Sequence, residues 1–298
     1  MQVYEGLPER PIGDVALSVG SFDGVHLGHQ DVIRRLREGP GTAALITFEP
    51  HPRCVLDPSR CPKSLTTPGE KTALLGRYGV EHAITLKFTP ELARLTPDEF
   101  MDRIAAAMTV RKFVCGPDFA FGRGRAGNAA WLHDRGFAVE VAPPFQLAGV
   151  ELHSSEIRRL LIEVGDIEAA NRLLGDSRFM LWGTVEHGAE VGRAIGFPTA
   201  NLALPLNKLI PRPGIYAARV GLGEERRIGA VSIGFRPTFG GDRLVVEVYV
   251  LDFDGDLYGR QVGVEVVKRL RDEARYPSAA ALAEQIRRDV EETRRLLG

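Results

Sequence analysis

Cysteine is scarce in this chain: three in 298 residues, at positions 54, 61 and 115, with no CxxC pair. An odd count without paired spacing argues against a zinc site and for reduced thiols in a cytoplasmic protein. A buried apolar Cys is the expected role. Lysine is scarce too, at positions 63, 71, 87, 112, 208 and 268 only, and arginine supplies the remaining basic charge. Neither sign of charge dominates: 38 Lys+Arg face 39 Asp+Glu, a formal net charge of −1. That balance gives no sequence-wide field for nucleic acid or for an anionic membrane. No apolar run approaches the roughly 18 residues of a membrane span. The opening MQVYEGLPERPIGD has neither the apolar core nor the cleavage site of a signal peptide, so none is expected.

What is present is ordinary for a globular chain: 44% hydrophobic and 26% charged residues. The length suggests two domains, each able to bury its own core. The first half alternates. Strand-like runs at 15–20, 43–48, 82–87, 112–115 and 137–142 are separated by helical stretches, among them 69–78, 97–108 and 127–134. Alternation of this kind predicts a parallel, Rossmann-like α/β sheet. Two short helices follow, EIRRLLIEV after Ser154 and Ser155 and IEAANRLL after Asp166, closed by Gly165 and Gly175. Strand-like runs at 181–186, 215–220, 228–235, 244–251 and 260–270 then predict an antiparallel barrel or sandwich. Ser278 caps a last helix with an apolar stripe of Leu282, Ile286, Val290 and Leu297. The expected domains are 1–178 and 179–298.

Several segments could carry chemistry. In VGSFDGVHLGHQ, residues 19–30, a strand ends at Gly20 and a helix begins near Gly28. Free N–H groups and the positive dipole end make such a helix start a phosphate site. Gly20, Gly24 and Gly28 permit close approach of a nucleotide, and His26 and His29 share one helical face. Two imidazoles there could bind a triphosphate and steady the charge of a departing pyrophosphate. Ser154, Ser155 and Arg158 could bind phosphate, although capping alone accounts for the serines. The loop CGPDFAFGRGRAGN, 115–128, suits a ligand at the sheet's carboxyl edge, or is a surface loop. His51 and Arg53 of TFEPHPR could touch phosphate, although a turn suffices to explain them.

The second half holds HGAEVGRAIGFPTANL, 187–202. Backbone N–H groups around Gly188, Gly192 and Gly196 could wrap phosphates. Thr199 and Asn201, two apart on an extended segment, offer hard oxygens suited to Mg2+. In LVVEVYVLDF, Leu244, Val246, Val248 and Val250 form one face and Val245, Glu247, Tyr249 and Leu251 the other, which predicts burial on both sides. Glu247 is then a carboxylate in an apolar strand, either paired with a buried Arg or serving as a general base.

Together these segments resemble the prokaryotic bifunctional riboflavin kinase/FAD synthetase family. The resemblance rests on SFDGVHLGH, TFEPHPR, GPDFAFGRGRAGN, SSEIRRLL, GFPTANL, IGFRPTFGG, VEVYVLDFDGDLYG and RLRDEARY, in that order along nearly the whole chain. HxGH marks the wider nucleotidyltransferase superfamily; PTAN with VEVYVLDFDGDLYG marks riboflavin kinases. The resemblance implies an HxGH nucleotidyltransferase domain that adenylylates FMN, followed by a barrel domain that phosphorylates riboflavin. By the same resemblance, Thr199 and Asn201 hold Mg2+ and Glu247 is the kinase base. Gly20, Phe22, Asp23, Gly28, Ser154, Ser155 and Arg158 contact ATP in the first domain, where His26 and His29 serve adenylyl transfer. Gly188, Gly192 and Gly196 contact ATP in the second. Asp118 and Arg271 lie on the flavin side, Arg271 in a loop that would close over it. Ser21 stands where the family usually has Asn, and His153 and Glu156 where its helix opening commonly has Ser and Arg. Loss of that Arg would weaken the first site, so an active kinase beside a degenerate N-terminal domain is the alternative. A flavin- or nucleotide-binding module without turnover is a further reading, against which a positioned base argues.

Overall fold

The computed structural model describes residues 1–147, 149–187, 192, 195–238 and 241–298, and the side chains of all these except 150, 237, 238 and 241–243. The chain forms two compact units, Met1–Ser154 and Ser155–Gly298.

The first unit is built on six parallel strands: β1 (Gln2–Glu5), β2 (Asp14–Val19), β3 (Thr42–Glu49), β4 (His82–Lys87), β5 (Thr109–Cys115) and β6 (Val139–Val141). Their spatial order is β1-β4-β3-β2-β5-β6. Successive strands step to one side of β2 through β3 and β4, then to the other through β5 and β6. The switch point therefore lies beside the carboxyl end of β2, where open α/β sheets bind ligands. Both faces are covered. Val15, Leu17 and Val19 enter one core with Ile104 and Phe113, and Ala16 enters another with Ile33, Leu36 and Leu45. Helix α1 (Leu27–Arg37) buries Val32, Ile33 and Leu36 on one face. Thr67 and Thr96 close capping boxes with Glu70 and Glu99 and start helices Pro68–Arg77 and Pro97–Ala107. β1 has no counterpart in the sequence reading: it is a short edge strand of exposed and half-buried residues.

The second unit is a closed antiparallel barrel of β7 (Met180–Glu186), β8 (Ala200–Ala203), β9 (Gly214–Leu222), β10 (Glu225–Thr238), β11 (Gly241–Val250) and β12 (Gln261–Arg271). The order is β7-β8-β11-β10-β9-β12, with β12 returning to β7. The segment before β7 belongs to this unit, so the compact units divide some way before residue 178. The reason is local: Asn171, on helix Ile167–Leu174, donates to the Val266 carbonyl of β12 at 2.8 Å and accepts from Phe179 N at 2.7 Å. A buried amide satisfied this way fixes the helix to the barrel wall. The closing helix Ala279–Leu297 starts at Ser278, whose Oγ accepts from Ala281 N. Its fully buried residues are Ala283, Asp289 and Thr293, while the expected stripe of Leu282, Ile286, Val290 and Leu297 is half-buried.

The thiol reading needs correction at two positions. Cys54 and Cys61 form a disulfide, because helix Pro52–Leu56 and the turn Pro58–Arg60 fold their Cα atoms to within 4.2 Å. Cys115 is free and buried, and burial pushes its thiol up to about 11.

Candidate active sites

At the carboxyl end of β2 the chain makes a tight turn before α1, with Phe22 and Val25 both at positive φ (47° and 41°). Such backbone persists only where its surroundings hold it. Asp23 does much of the holding. Its carboxylate is buried and accepts from Leu65 N (3.0 Å), Thr66 N (2.9 Å) and Thr66 Oγ1 (3.1 Å). Ser154 Oγ donates to the Asp23 carbonyl at 3.0 Å. The turn is thus fastened by Asp23 and Ser154, both read from sequence as phosphate contacts. Phe22 is also buried, and its ring centre lies 4.8 Å from that of His29.

His26 caps α1, accepting from His29 N at 3.4 Å, and the two imidazoles stack with ring centres 3.6 Å apart. The pairing expected of HxGH is therefore present. His29 Nδ1 is buried with no hydrogen-bond partner among the described residues. Burial, then His26, then Lys71 hold the His29 imidazole well below its ordinary titration range. A Cβ at position 28 would stand 3.3 Å from the His26 ring, so glycine there permits the stack.

The loop after β5 carries Asp118, exposed, with one oxygen within 4.8 Å of ligand atoms of Glu151 and His153. His153 Nε2 lies 3.3 Å from Glu151 Oε1. His51 caps its own short helix through Arg53 N, the turn reading of TFEPHPR. In the second unit, Ser155 and Arg158 stand on helix Ser154–Arg159. Arg159 holds Glu156 in an ion pair at 2.7 Å, which draws that carboxyl below its usual range. The acidic departure at 156 therefore carries its own counter-ion.

In the barrel, β8 lies between β7 and β11 and pairs Asn201 with Glu247. Directly opposed residues share a face. Ser232 of β10 opposes Glu247 on the other side. A cavity of about 200 Å³ opens there, lined by Gly192, Thr199, Ser232, Arg236, Glu247 and Arg271 among others. The Val246, Val248 and Val250 face of β11 is fully buried. Val245, Glu247 and Tyr249 on the other face are half-buried, so burial of both faces does not hold throughout. Glu247 is paired, with Arg236 Nη2 2.7 Å from Oε2. The sequence reading offered an Arg partner for Glu247 but did not identify Arg236, since the two residues meet only because β10 and β11 are neighbours; Arg236 is also half exposed where a buried Arg was expected.

Gly192 has a steric role: a Cβ there would collide with the Phe197 carbonyl and come within 3.3 Å of Thr199 Oγ1. Gly196 has φ of 86°, which a side chain would strain. Gly188 lies outside the described residues. Arg271 ends β12 and is bound by Asp289 of the last helix, Nη2 to Oδ2 at 2.6 Å and Nε to Oδ1 at 2.9 Å. It is a fixed wall residue of the cavity, where the sequence suggested a closing loop.

Thr199 lines the cavity and Asn201 pairs across the strands with Glu247, and a hydroxyl and an amide carbonyl are oxygen donors of the kind Mg2+ takes.

A parallel sheet with stacked HxGH imidazoles at its switch point, followed by a barrel with a carboxylate in its cavity, defines a two-domain nucleotide-dependent transferase. Residues 10–156 match the FAD synthetase family model and residues 176–297 the riboflavin kinase model. The bifunctional riboflavin kinase/FMN adenylyltransferase of Escherichia coli is 36% identical over 98% of this chain and 96% of its own. The enzyme of that name from Listeria monocytogenes is 36% identical over 93% and 91%. A crystal structure described as a macrolide-efflux protein from Streptococcus pneumoniae superposes with a TM-score of 0.88 at 30% identity, covering 98% of both chains. The chain belongs to the bifunctional riboflavin kinase/FMN adenylyltransferase family. Riboflavin, FMN, FAD and ATP are the substrates and products of that family.

Proposed function

We propose that the barrel makes FMN from riboflavin and ATP, and that the HxGH half makes FAD from FMN and a second ATP. The observation that carries the kinase reading is Glu247, opposite Asn201 and in one cavity with Thr199. Glu247 accepts the proton of the ribityl 5′-hydroxyl as its oxygen bonds to the γ-phosphorus and ADP leaves. Arg236 holds the carboxylate in place, so positioning dominates, as phosphoryl transfer demands. Thr199 and Asn201 would hold Mg2+, which when bound neutralises phosphate charge. Arg271, fixed by Asp289, forms part of the flavin wall, and Gly192 and Gly196 belong to the segment proposed to meet the nucleotide phosphates, as Gly188 does outside the described residues.

In the HxGH half, an FMN phosphate oxygen attacks the α-phosphorus of ATP, the bond to the bridging oxygen breaks, and pyrophosphate leaves. His26 and His29 hydrogen-bond the phosphates, and a phosphate oxygen would relieve the cost of the unpartnered His29 nitrogen. Gly20, Phe22, Asp23 and Gly28 shape the turn that receives ATP, with Ser154, Ser155 and Arg158 serving its phosphates and Asp118 the flavin. This division assigns 1–178 to adenylyl transfer and 179–298 to the kinase, although 155–177 pack with the barrel.

The reading needs only small molecules as partners, with no nucleic acid; its cytoplasmic location now rests on the biosynthetic role alone, because the Cys54–Cys61 bridge removes the argument from reduced thiols. Among the described residues no helix is long and apolar enough to cross a membrane. The test is incubation with riboflavin, ATP and Mg2+, with flavins resolved by chromatography. FMN appearing first and FAD after it is expected. FMN without FAD would support the reading of an active kinase beside a degenerate partner, and no FMN would sink the kinase.

A further inference from the structure

The sheet unit buries a cation that the mechanism above does not use. Lys71, on helix Pro68–Arg77, is only 7% exposed. Its Nζ donates to the Ser21 carbonyl at 3.0 Å and to Thr47 Oγ1 at 3.1 Å. Thr47 Oγ1 donates to the same carbonyl at 3.0 Å. Ser21 begins the turn that leads to His26, and Thr47 stands near the end of β3, so the ammonium ties two adjacent strand ends together. Burying an ammonium is costly. Here its hydrogen-bond acceptors are neutral oxygens, and two carboxylates act on it at longer range: Asp23, already engaged by Leu65 and Thr66, and Glu49. A cation kept under those conditions beside a nucleotide site points to a use.

We propose that Lys71 is a positioning residue for adenylyl transfer: through the Ser21 carbonyl and Thr47 it fixes the turn Ser21–Val25 that leads into the stacked imidazoles, and its charge acts on His29. The proposal rests on the adenylyltransferase reading of the HxGH half. The titratable groups facing His29 are His26 on its own turn and Lys71 on the neighbouring helix. Asp23 and Glu49 face Lys71 in turn. Burial first, then His26, then repulsion from Lys71 hold the His29 imidazole well below its ordinary range.

The test uses the full chain and two variants: Lys71→Gln, which keeps a donor and removes the charge, and Lys71→Met, which removes both. His29 is titrated by NMR, and FAD formation from FMN and ATP is followed across pH. Riboflavin phosphorylation in the same samples reports whether the rest of the chain is intact. In whichever variant folds, His29 should titrate at higher pH than in the wild type. The acid limb of FAD formation should move the same way, and kcat/KM for FMN should fall about ten- to a hundredfold, the scale of a misplaced site. Riboflavin phosphorylation should be unchanged. An unchanged His29 titration, unchanged FAD formation, or an equal fall in both reactions would overturn the proposal. Wild-type protein that makes no FAD from FMN would instead overturn the adenylyltransferase reading, while the NMR titration would still report whether Lys71 acts on His29.

Discussion

Glu247 offers the cleanest single-atom test at the residue scale. Glu247→Gln keeps the side chain's volume and a contact to Arg236 and removes the proton acceptor. FMN formation should fall about 10²- to 10⁴-fold, the usual range for a lost general base. Conversion of supplied FMN to FAD should be unaltered in the same chromatographic assay. His29 makes a second prediction. Its folded titration point lies below that of the unfolded chain because burial disfavours the imidazolium. Between the two, the unfolded chain binds more protons, so this group's contribution to stability is lost as pH falls below about 6.5. Thermal melts of the wild type should therefore drop between pH 6.5 and 5 more steeply than those of His29→Gln. Equal slopes would contradict this.

At the element scale, the last helix and β12 are joined by Asp289 and Arg271. Asp289 is 7% exposed in its side chain and Arg271 23%. Removing one member of a pair this buried costs about 3 kcal/mol. Asp289→Asn should lower the melting temperature and, by loosening Arg271, raise KM for riboflavin with little change in KM for FMN in FAD formation. Steady-state kinetics of the two reactions check this. Elements themselves were legible in the sequence wherever the signal was local. The Ser278 cap of the last helix and the alternation of both halves use residues within a few positions of one another. Pairings across the fold were not. Asp289 with Arg271, Arg236 with Glu247, and Lys71 with Ser21 join residues 18, 11 and 50 positions apart. No periodicity encodes which charge will face which. The Cys54–Cys61 bridge is local, only seven residues apart, but it depends on the exact course of the turn between them, which no residue pattern specifies.

For the whole molecule, the near-zero net charge and the polyanionic substrates are compatible because the positive groups are local. Helix starts, a few arginines and one buried lysine stand at the sites, while carboxylates elsewhere carry their own counter-ions, as Glu140 does with Arg35 and Lys112. Motif order along the chain, from HxGH to PTAN to Glu247, made the two chemistries readable before any fold was known. The contact partition at Ser154 was not readable, because it depends on Asn171 finding the wall of β12. The central claim is that one chain carries two separate sites joined by a shared product, and complementation tests it most directly. Glu247→Gln and His29→Ala are each incubated alone, and then mixed, with riboflavin, ATP and Mg2+, and FAD is measured by chromatography. Each variant alone should make almost no FAD, His29→Ala should accumulate FMN, and the mixture should make FAD. A mixture that makes none, or variants that each lose both reactions, would contradict the account.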